Sequence, residues 1–342
     1  MIADHLSTVF ECCFKVAGGG HPPLVWSFRR GRKAEQRGDD EAAERHFRAA
    51  ADRGDGEAAK HLYELADRDD EIAAVNLAAL LSDQDRDDEA MTVLRAAAEA
   101  GGCEAAEQLA RMLYDADRHD EAERWFRRAA EDEEPRPEAI TCVGILLDAR
   151  GEDEEAERWL RRGADAGDLH ATAHLGIRAR RADRLDESER LLRQAAETGE
   201  AETLCELGIT LSGLNREDEA ATYLERAASD GHRRAALALG WLLEDRGDRT
   251  GATHWLGQAA DAGDLHAATS LGVLRAEDGD AASAEALWRR AAEGGIALAA
   301  YNLGQLFEPR DPAEAAAWYR RAVDAGGAGA DDARERLAAL GG

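Results

Sequence analysis

The chain has 342 residues, of which 71 are acidic and 43 basic, so its formal net charge is −28. A charge this negative argues against broad binding to nucleic acids or to anionic membranes. No stretch approaches the roughly 18 consecutive apolar residues of a transmembrane helix, and six prolines are too few for a disordered tail protein. Only three of the basic residues are lysines, a bias that suits a bacterial genome rich in G and C.

Five cysteines occur along the chain, and no two of them are spaced as a Cys-x-x-Cys pair. An odd number without such a pair does not predict a disulfide framework. We therefore expect a reducing compartment, the cytoplasm. Cys142 and Cys205 fall on predicted helix faces, where a thiol usually behaves as a small apolar side chain.

Residues 1–24 differ in pattern from the rest of the chain. Apolar side chains at helical spacing predict one short amphipathic helix, which Gly18-Gly19-Gly20 would end. Asp4 and Glu11 interrupt the apolar residues and no basic residue precedes them, so the pattern does not match a secretory signal. A loosely held terminal helix is the favoured interpretation, and a docking helix is the alternative. Whether these residues belong to the mature protein stays open.

From residue 25 onward the chain repeats itself. A small residue recurs at intervals of 47, 32, 34, 32, 32, 32, 32 and 31 residues, at Ala43, Ala90, Ala122, Ala156, Ser188, Ala220, Ala252, Ala284 and Ala315. A Leu-Gly pair keeps the same register, at Leu175-Gly176, Leu207-Gly208, Leu239-Gly240, Leu271-Gly272 and Leu303-Gly304. A large side chain follows four residues after each small one. Coinciding patterns with a period in this range are typical of a helical solenoid.

Each repeat is predicted to be two antiparallel helices joined by a tight turn. In residues 265–294 the first helix reads LHAATSLGVLRAE and the second reads AASAEALWRRAAE. Glycine at the turn supplies the left-handed backbone conformation that a Cβ opposes. Acidic residues at the start of each second helix are expected to cap it, and arginines near its end suit the helix dipole. We expect the Leu-Gly glycine to let helices approach closely and the large residue to fill the space between neighbouring repeats.

The order Leu-Gly, Gly-Asp turn and Ala-x-x-x-aromatic-x-x-Ala is similar to tetratricopeptide repeats. The junctions between repeats resemble Sel1-like repeats, because Trp318-Tyr319-x-Arg321-Ala322 is close to that family's Trp-Tyr-x-Lys-Ala-Ala signature. The resemblance covers residues 25–340. It implies an all-α fold, a right-handed α-solenoid of about nine helix-turn-helix repeats. It also implies a scaffold that binds other proteins.

The array, a single solenoid domain over residues 25–340, contains predicted irregularities. The first interval is 47 residues instead of 32, and the additional residues 55–69 read as an extra helix without a partner. An unpaired helix upsets the alternation of first and second helices, so we expect a kink near residues 66–72. Residues 331–340 are predicted to form a charged helix that caps the open end.

The sequence contains no pattern that predicts catalysis. A phosphate-binding glycine-rich loop and a nucleophile-elbow motif are both absent, and the paired carboxylates stand at helix starts in solvent. His170 and His174 lie one helical turn apart with Asp168 nearby, a spacing that can bind zinc, but no third ligand is evident. His266 recurs at the place of His170 within a shared Gly-Asp-Leu-His-Ala string, which favours an ordinary helix residue. We therefore predict a non-enzymatic protein with no metal and no cofactor.

One row of side chains stands out on the first helices, which line the concave side of solenoids in the resembled families. Two residues after the Leu of each Leu-Gly pair or its equivalent, the positions hold Ile145, Ile177, Ile209, Trp241 and Val273. Neighbouring rows add Tyr301, His170, Arg234 and His266. An apolar row with a polar rim is typical of protein interfaces, and Trp241 would be its anchor. The alternative is that the row packs between adjacent first helices.

These features predict a cytoplasmic adaptor that binds a peptide or helix of a partner protein in the groove. The alternative is a regulatory sensor, in which a small molecule or short peptide in the same groove changes the curvature of the array. Self-association stays possible. Chaperone C-terminal tails are not expected, because Arg234 and Asn302 lack the lysine partners with which some tetratricopeptide proteins hold such a carboxylate. The sequence does not identify the partner.

Overall fold

The computed structural model describes residues 71–132 and 135–341, together with residues 30, 32–34, 37, 42, 43 and 45–47. In this part of the chain every regular element is a helix. The predicted helix in residues 1–24 and the predicted extra helix 55–69 lie outside the described residues. Of the segment 66–72, where a kink is predicted, only residues 71 and 72 are described. None of the described helices has both the length and the apolar character needed to cross a membrane.

Between residues 71 and 341 the described chain forms seventeen α-helices, which follow one another in pairs. The first helices are α1 Glu71–Ser82, α3 Cys103–Asp115, α5 Pro137–Arg150, α7 Leu169–Arg181, α9 Ala201–Gly213, α11 Arg233–Asp245, α13 Leu265–Glu277 and α15 Ala297–Phe307. The second helices are α2 Asp87–Glu99, α4 His119–Ala130, α6 Asp153–Asp165, α8 Leu185–Ala195, α10 Glu217–Ser229, α12 Arg249–Asp261, α14 Ala281–Glu293 and α16 Pro312–Ala325. The last helix, α17 Ala330–Ala339, packs on α15 and α16. The predicted all-α fold of helix-turn-helix repeats is confirmed.

The chain divides into two compact units, residues 1–175 and residues 176–342, with the boundary inside α7. Each unit has its own buried core, which includes Phe126 and Leu147 in the first and Leu224 and Trp288 in the second. Within a unit the helices of a pair pack against each other, and each second helix packs against the next first helix. The core is therefore built by stacking, since one pair alone could not bury its apolar face.

The glycine of the Leu-Gly pair, and of Val143-Gly144 on α5, lies in tight contact with the second helix of its own repeat. A Cβ on Gly208 of α9 would stand 2.6 Å from Leu224 Cγ of α10, and one on Gly144 of α5 would stand 2.8 Å from Leu160 Cγ of α6. A close-packed interior leaves no room for that extra atom. The large residue thus packs against the glycine of its own pair, a contact that the sequence pattern did not predict.

In seven of the eight described pairs, the turn between the two helices places one residue in the left-handed region of backbone conformation. Glycine holds this position before α6, α12 and α14, and an aspartate or asparagine holds it before α2, α4, α8 and α10. Asn215, for example, has φ of 58° and Gly247 has φ of 77°. Asp and Asn are the side chains that tolerate this conformation best, so the turn keeps one shape with three residue types.

The acidic starts of the second helices act partly as caps and partly as ion-pair partners. Asp248 before α12 accepts a hydrogen bond from the backbone N–H of Gly251 at 3.0 Å, and aspartates before α14 and α16 act in the same way. Before α10, Arg216 instead pairs with Glu219 at 2.5 Å, and the same arrangement occurs at α2, α4 and α8. Capping by acidic side chains is therefore confirmed for three of the described second helices, and arginine neutralises the acidic first turn at four others.

Candidate functional site

The predicted row of apolar side chains lies on the first helices, and its members differ in burial. Ile145 on α5 and Ile177 on α7 are buried, each with 5% of its surface exposed. Ile209 on α9 and Val273 on α13 are half-buried. Trp241 on α11 is 44% exposed, as one of three large apolar side chains exposed in the described part of the chain. The accessible apolar surface of the row therefore lies on α9, α11 and α13.

The other predicted site residues lie on four first helices. Tyr301 on α15 is half-buried, with its ring centroid 5.8 Å from that of Tyr319. His170 on α7 is half-buried and His266 on α13 is exposed. Arg234 on α11 is exposed, and its guanidinium is bound to carboxylates of α9. Only Arg234 and His266 share a helix with an accessible member of the row.

Trp241 is held in one orientation by the next repeat. Its indole Nε1–H donates a hydrogen bond to Ser270 Oγ of α13 at 2.9 Å. Because α11 packs against α9 and α13, Ile209, Trp241 and Val273 follow one another along adjacent first helices. These three residues and Ser270 are called the Trp241 surface below. Since the indole donor is already used, the surface offers a ligand an aromatic face and apolar area.

Carboxylates border the Trp241 surface on the side of the helix C-termini. Glu244 and Asp245 follow Trp241 by three and four residues, which places them one turn further along the same face of α11. Partial burial raises the pKa of Glu244, and the nearby carboxylates of Asp245 and Glu277 raise it further. Arg249 binds Glu277 at 2.7 Å. Among the described residues, neither the Glu244 nor the Asp245 carboxylate has an ion pair or a hydrogen bond.

A buried glutamate lies one helical turn before the α9 member of the Trp241 surface. Glu206, 2% exposed, accepts hydrogen bonds from Arg180 of α7 at 2.6 Å and from Arg234 of α11 at 2.5 Å. Arg234 also donates to Glu202 at 3.2 Å. A buried carboxylate needs such pairing, because removal from water is costly for a charge. The sequence analysis missed Glu206, although its place directly before Leu207-Gly208, within the core register, is a signal of burial.

The described residues contain no group of three or more His, Cys, Asp or Glu side chains that could hold a metal ion. Their three cysteines are free thiols. Burial raises the pKa of Cys142 to about 12 and that of Cys103 to about 11, and it also raises the pKa of Cys205. Because the thiolate is the reactive form, such thiols are poor nucleophiles at neutral pH.

Stacked helix pairs, which in five repeats carry a Leu-Gly pair on the first helix, define a helical-repeat protein of the α-solenoid class. The profile of the Sel1 repeat matches residues 26–55, 149–168, 204–232, 234–264, 268–296 and 297–327. The profile of a tetratricopeptide repeat matches residues 103–132. The chain belongs to the family of Sel1-like and tetratricopeptide repeat proteins, which confirms the resemblance found in its sequence.

Two solved structures have the same fold at low sequence identity. One is c5321, a protective antigen of uropathogenic Escherichia coli strains with an SLR fold, at 21% identity and a TM-score of 0.62, where the alignment covers 88% of this chain and 77% of that one. The other is pilF of Pseudomonas aeruginosa, at 19% identity and a TM-score of 0.50. That alignment covers 54% of this chain and 89% of pilF. A search of curated proteins found no match. Repeats of these families generally mediate protein–protein interaction and are typically non-enzymatic.

Proposed function

We propose that this chain is a non-enzymatic adaptor that binds a peptide or helix of a partner protein in a groove along its first helices. The exposed indole of Trp241 carries this proposal, because tryptophan is over-represented among the residues that dominate binding energy at interfaces. An indole that a hydrogen bond already orients loses little conformational freedom on binding. Half-buried Ile209 and Val273 extend the apolar contact, and charged side chains surround it, as at many protein interfaces.

The proposed compartment is the cytoplasm. Cys142 and Cys205 are buried free thiols rather than disulfide partners, which fits a reducing environment. The partner is expected to be a protein of that compartment, and a second copy of this chain is one such protein. Light scattering by the purified chain distinguishes self-association from binding to another protein.

The test uses wild type, Trp241→Glu and His254→Glu as baits in a lysate of the source organism, with mass spectrometry as the readout. His254 is exposed on α12, the second helix of the same pair, so both variants add one negative charge to the same repeat. We expect a protein that co-purifies with wild type and His254→Glu and is lost with Trp241→Glu. All three baits must have the same circular dichroism and thermal unfolding. Identical sets of proteins on the three baits would contradict the proposal.

A further inference from the structure

In the described part of the chain, arginine side chains cover the half-buried tryptophans of several second helices. The Cζ atoms stand 5.2–5.6 Å from the ring centroids in the pairs Arg162–Trp159, Arg128–Trp125 and Arg321–Trp318. A cation over an aromatic face is attracted by the electrons of the ring, and most strongly so for tryptophan. Three of the four half-buried tryptophans on the described second helices thus have a cation of this chain over the ring, and the fourth, Trp255, has the His254 ring beside it.

Trp241 differs from these tryptophans. It is the exposed one among the tryptophans of the described residues, and no described arginine or lysine lies over its ring. Arg234, two turns earlier on α11, is bound to Glu202 and Glu206. The indole face of Trp241 is thus open to a cation that the described residues do not supply.

The carboxylates beside Trp241 also have no described cation in direct contact, because the nearest one, Arg249, is bound to Glu277 and Asp278. The carboxylates of Glu244 and Asp245 have no ion pair among the described residues, whereas Glu277 and Asp278 share Arg249, at 2.7 and 2.9 Å. The pKa of Glu244 is raised first by burial and then by the like charges of Asp245 and Glu277, and the positive charge of Arg249 offsets this only in part. The neighbouring negative charges thus add to the effect of burial in opposing ionisation, and a cation bound at Glu244 and Asp245 would counter them.

We infer that the segment bound at the Trp241 surface is basic, with one arginine or lysine stacked on the indole of Trp241 and its charged head at the carboxylates of Glu244 and Asp245. This inference rests on the proposed function, because it specifies the partner of the same surface. Arginine suits the place best, since its planar guanidinium can stack on an aromatic ring and donate two hydrogen bonds to a carboxylate. An acidic segment would meet like charges here, and Arg234 is already bound to glutamates.

The test selects phage-displayed random peptides on the full chain and titrates the recovered peptides by fluorescence anisotropy. We expect the recovered peptides to be net basic, with an arginine or lysine whose replacement by alanine weakens binding about tenfold. Trp241→Phe keeps an aromatic face and should retain part of the affinity. Trp241→Leu keeps only apolar area and should weaken binding by about tenfold or more.

A matched pair of double variants separates local from overall charge. Glu244→Gln/Asp245→Asn removes the two carboxylates beside the indole and should raise the Kd about fivefold. Asp261→Asn/Glu293→Gln removes the same charge from the exposed last residues of α12 and α14, and should raise it by less than about twofold. Unchanged circular dichroism and thermal unfolding establish that every variant is folded.

Three results would overturn the inference, and they affect the proposed function differently. Neutral or acidic peptides that bind in a Trp241-dependent way would refute the basic partner and leave the proposed function intact. Equal weakening by the two double variants would refute it as well, because the attraction would then come from the whole chain, with its net charge of −28. Peptides that bind Trp241→Leu as well as wild type, or a selection without binders, would refute the proposed function together with the inference.

Discussion

The two units build the same helix pairs but use the row position on their first helices differently. In the first unit the position on α3 is Arg111, which pairs with the fully buried Glu107 one turn earlier; Arg136 donates to the same carboxylate at 2.5 Å. In the second unit the position on α11 is the exposed Trp241. There the buried Glu206 takes both of its arginines from neighbouring helices. The same position of the repeat thus holds an ion-paired arginine on α3 and an exposed aromatic side chain on α11.

The place of the buried glutamate within its helix explains this difference. When the repeats are aligned, Glu107 of α3 corresponds to Cys205 of α9. The buried Glu206 of α9 is therefore one position further along its helix than Glu107 is. At the earlier place, an arginine four residues on along the same helix reaches the carboxylate, and that arginine occupies the row position. At the later place, arginines of adjacent helices reach the carboxylate. The row position is then left to apolar side chains.

The shared core is where the two units should respond alike, and the largest effect is expected there. Gly144→Val and Gly240→Val put atoms where Leu160 and Leu256 already lie within 3 Å of an added Cβ. Each should lower the free energy of unfolding by about 3 kcal/mol. Gly257→Ala on α12, with nothing within 4 Å of the added Cβ, is the control and should raise it by about 0.5 kcal/mol. Urea denaturation measures all three, and equal effects would contradict the packing described for the Leu-Gly pair.

Removal of a buried glutamate is the next largest effect and should also be common to both units. Glu107→Ala and Glu206→Ala leave two arginines without their shared carboxylate. Each should cost about 2 kcal/mol, less than a fully buried pair, because the arginines are partly exposed and regain water. Glu293→Ala, at the exposed end of α14, should change stability by less than about 0.5 kcal/mol. If only one of the two variants lost stability, the two buried glutamates would not have the same structural role.

The row position should matter for folding on α3 of the first unit and for binding on α11 of the second. Arg111→Ala leaves buried Glu107 with Arg136 alone and should cost about 1.5 kcal/mol. Trp241→Ala should change stability by less than about 1 kcal/mol, because the indole is exposed, and should abolish peptide binding. Urea denaturation and anisotropy with a selected peptide measure the two effects. If peptide binding were lost with Arg111→Ala and kept with Trp241→Ala, the assignment of folding to Arg111 and of binding to Trp241 would be wrong.

The smallest effect is expected at alkaline pH, through the buried thiols. Burial raises the pKa of Cys142 in the first unit from about 9 to about 12, and it also raises the pKa of Cys205 in the second. The folded chain holds these protons more tightly than the unfolded chain, so their contribution to stability is complete below pH 9 and is lost as the pH rises toward 12. Wild type should therefore lose stability faster than Cys142→Ala/Cys205→Ala between about pH 8 and about pH 10.5. Urea denaturation at both pH values tests this, and parallel losses would show that the thiols are not responsible.

The helix pairs could be predicted from the sequence because each repeat carries the same local signals. The 32-residue period, the Leu-Gly pair and the turn residue tolerant of positive φ all act within a single repeat. The sequence did not predict the contact of the large residue with the glycine of its own pair, which Leu224 makes with Gly208. A period cannot distinguish contacts within a repeat from contacts between repeats, because both recur at the same spacing.

The sequence by itself determined the all-α repeat fold, the family and the positions that form the apolar row. Only the tertiary structure decided which members of the row are accessible, since Ile145 and Trp241 hold the same place in the repeat and are 5% and 44% exposed. Exposure depends on side chains from adjacent repeats, and these differ along the chain while the repeat register stays constant. The burial of Glu206 has the same cause, because Arg180 and Arg234 reach it from the helices on its two sides.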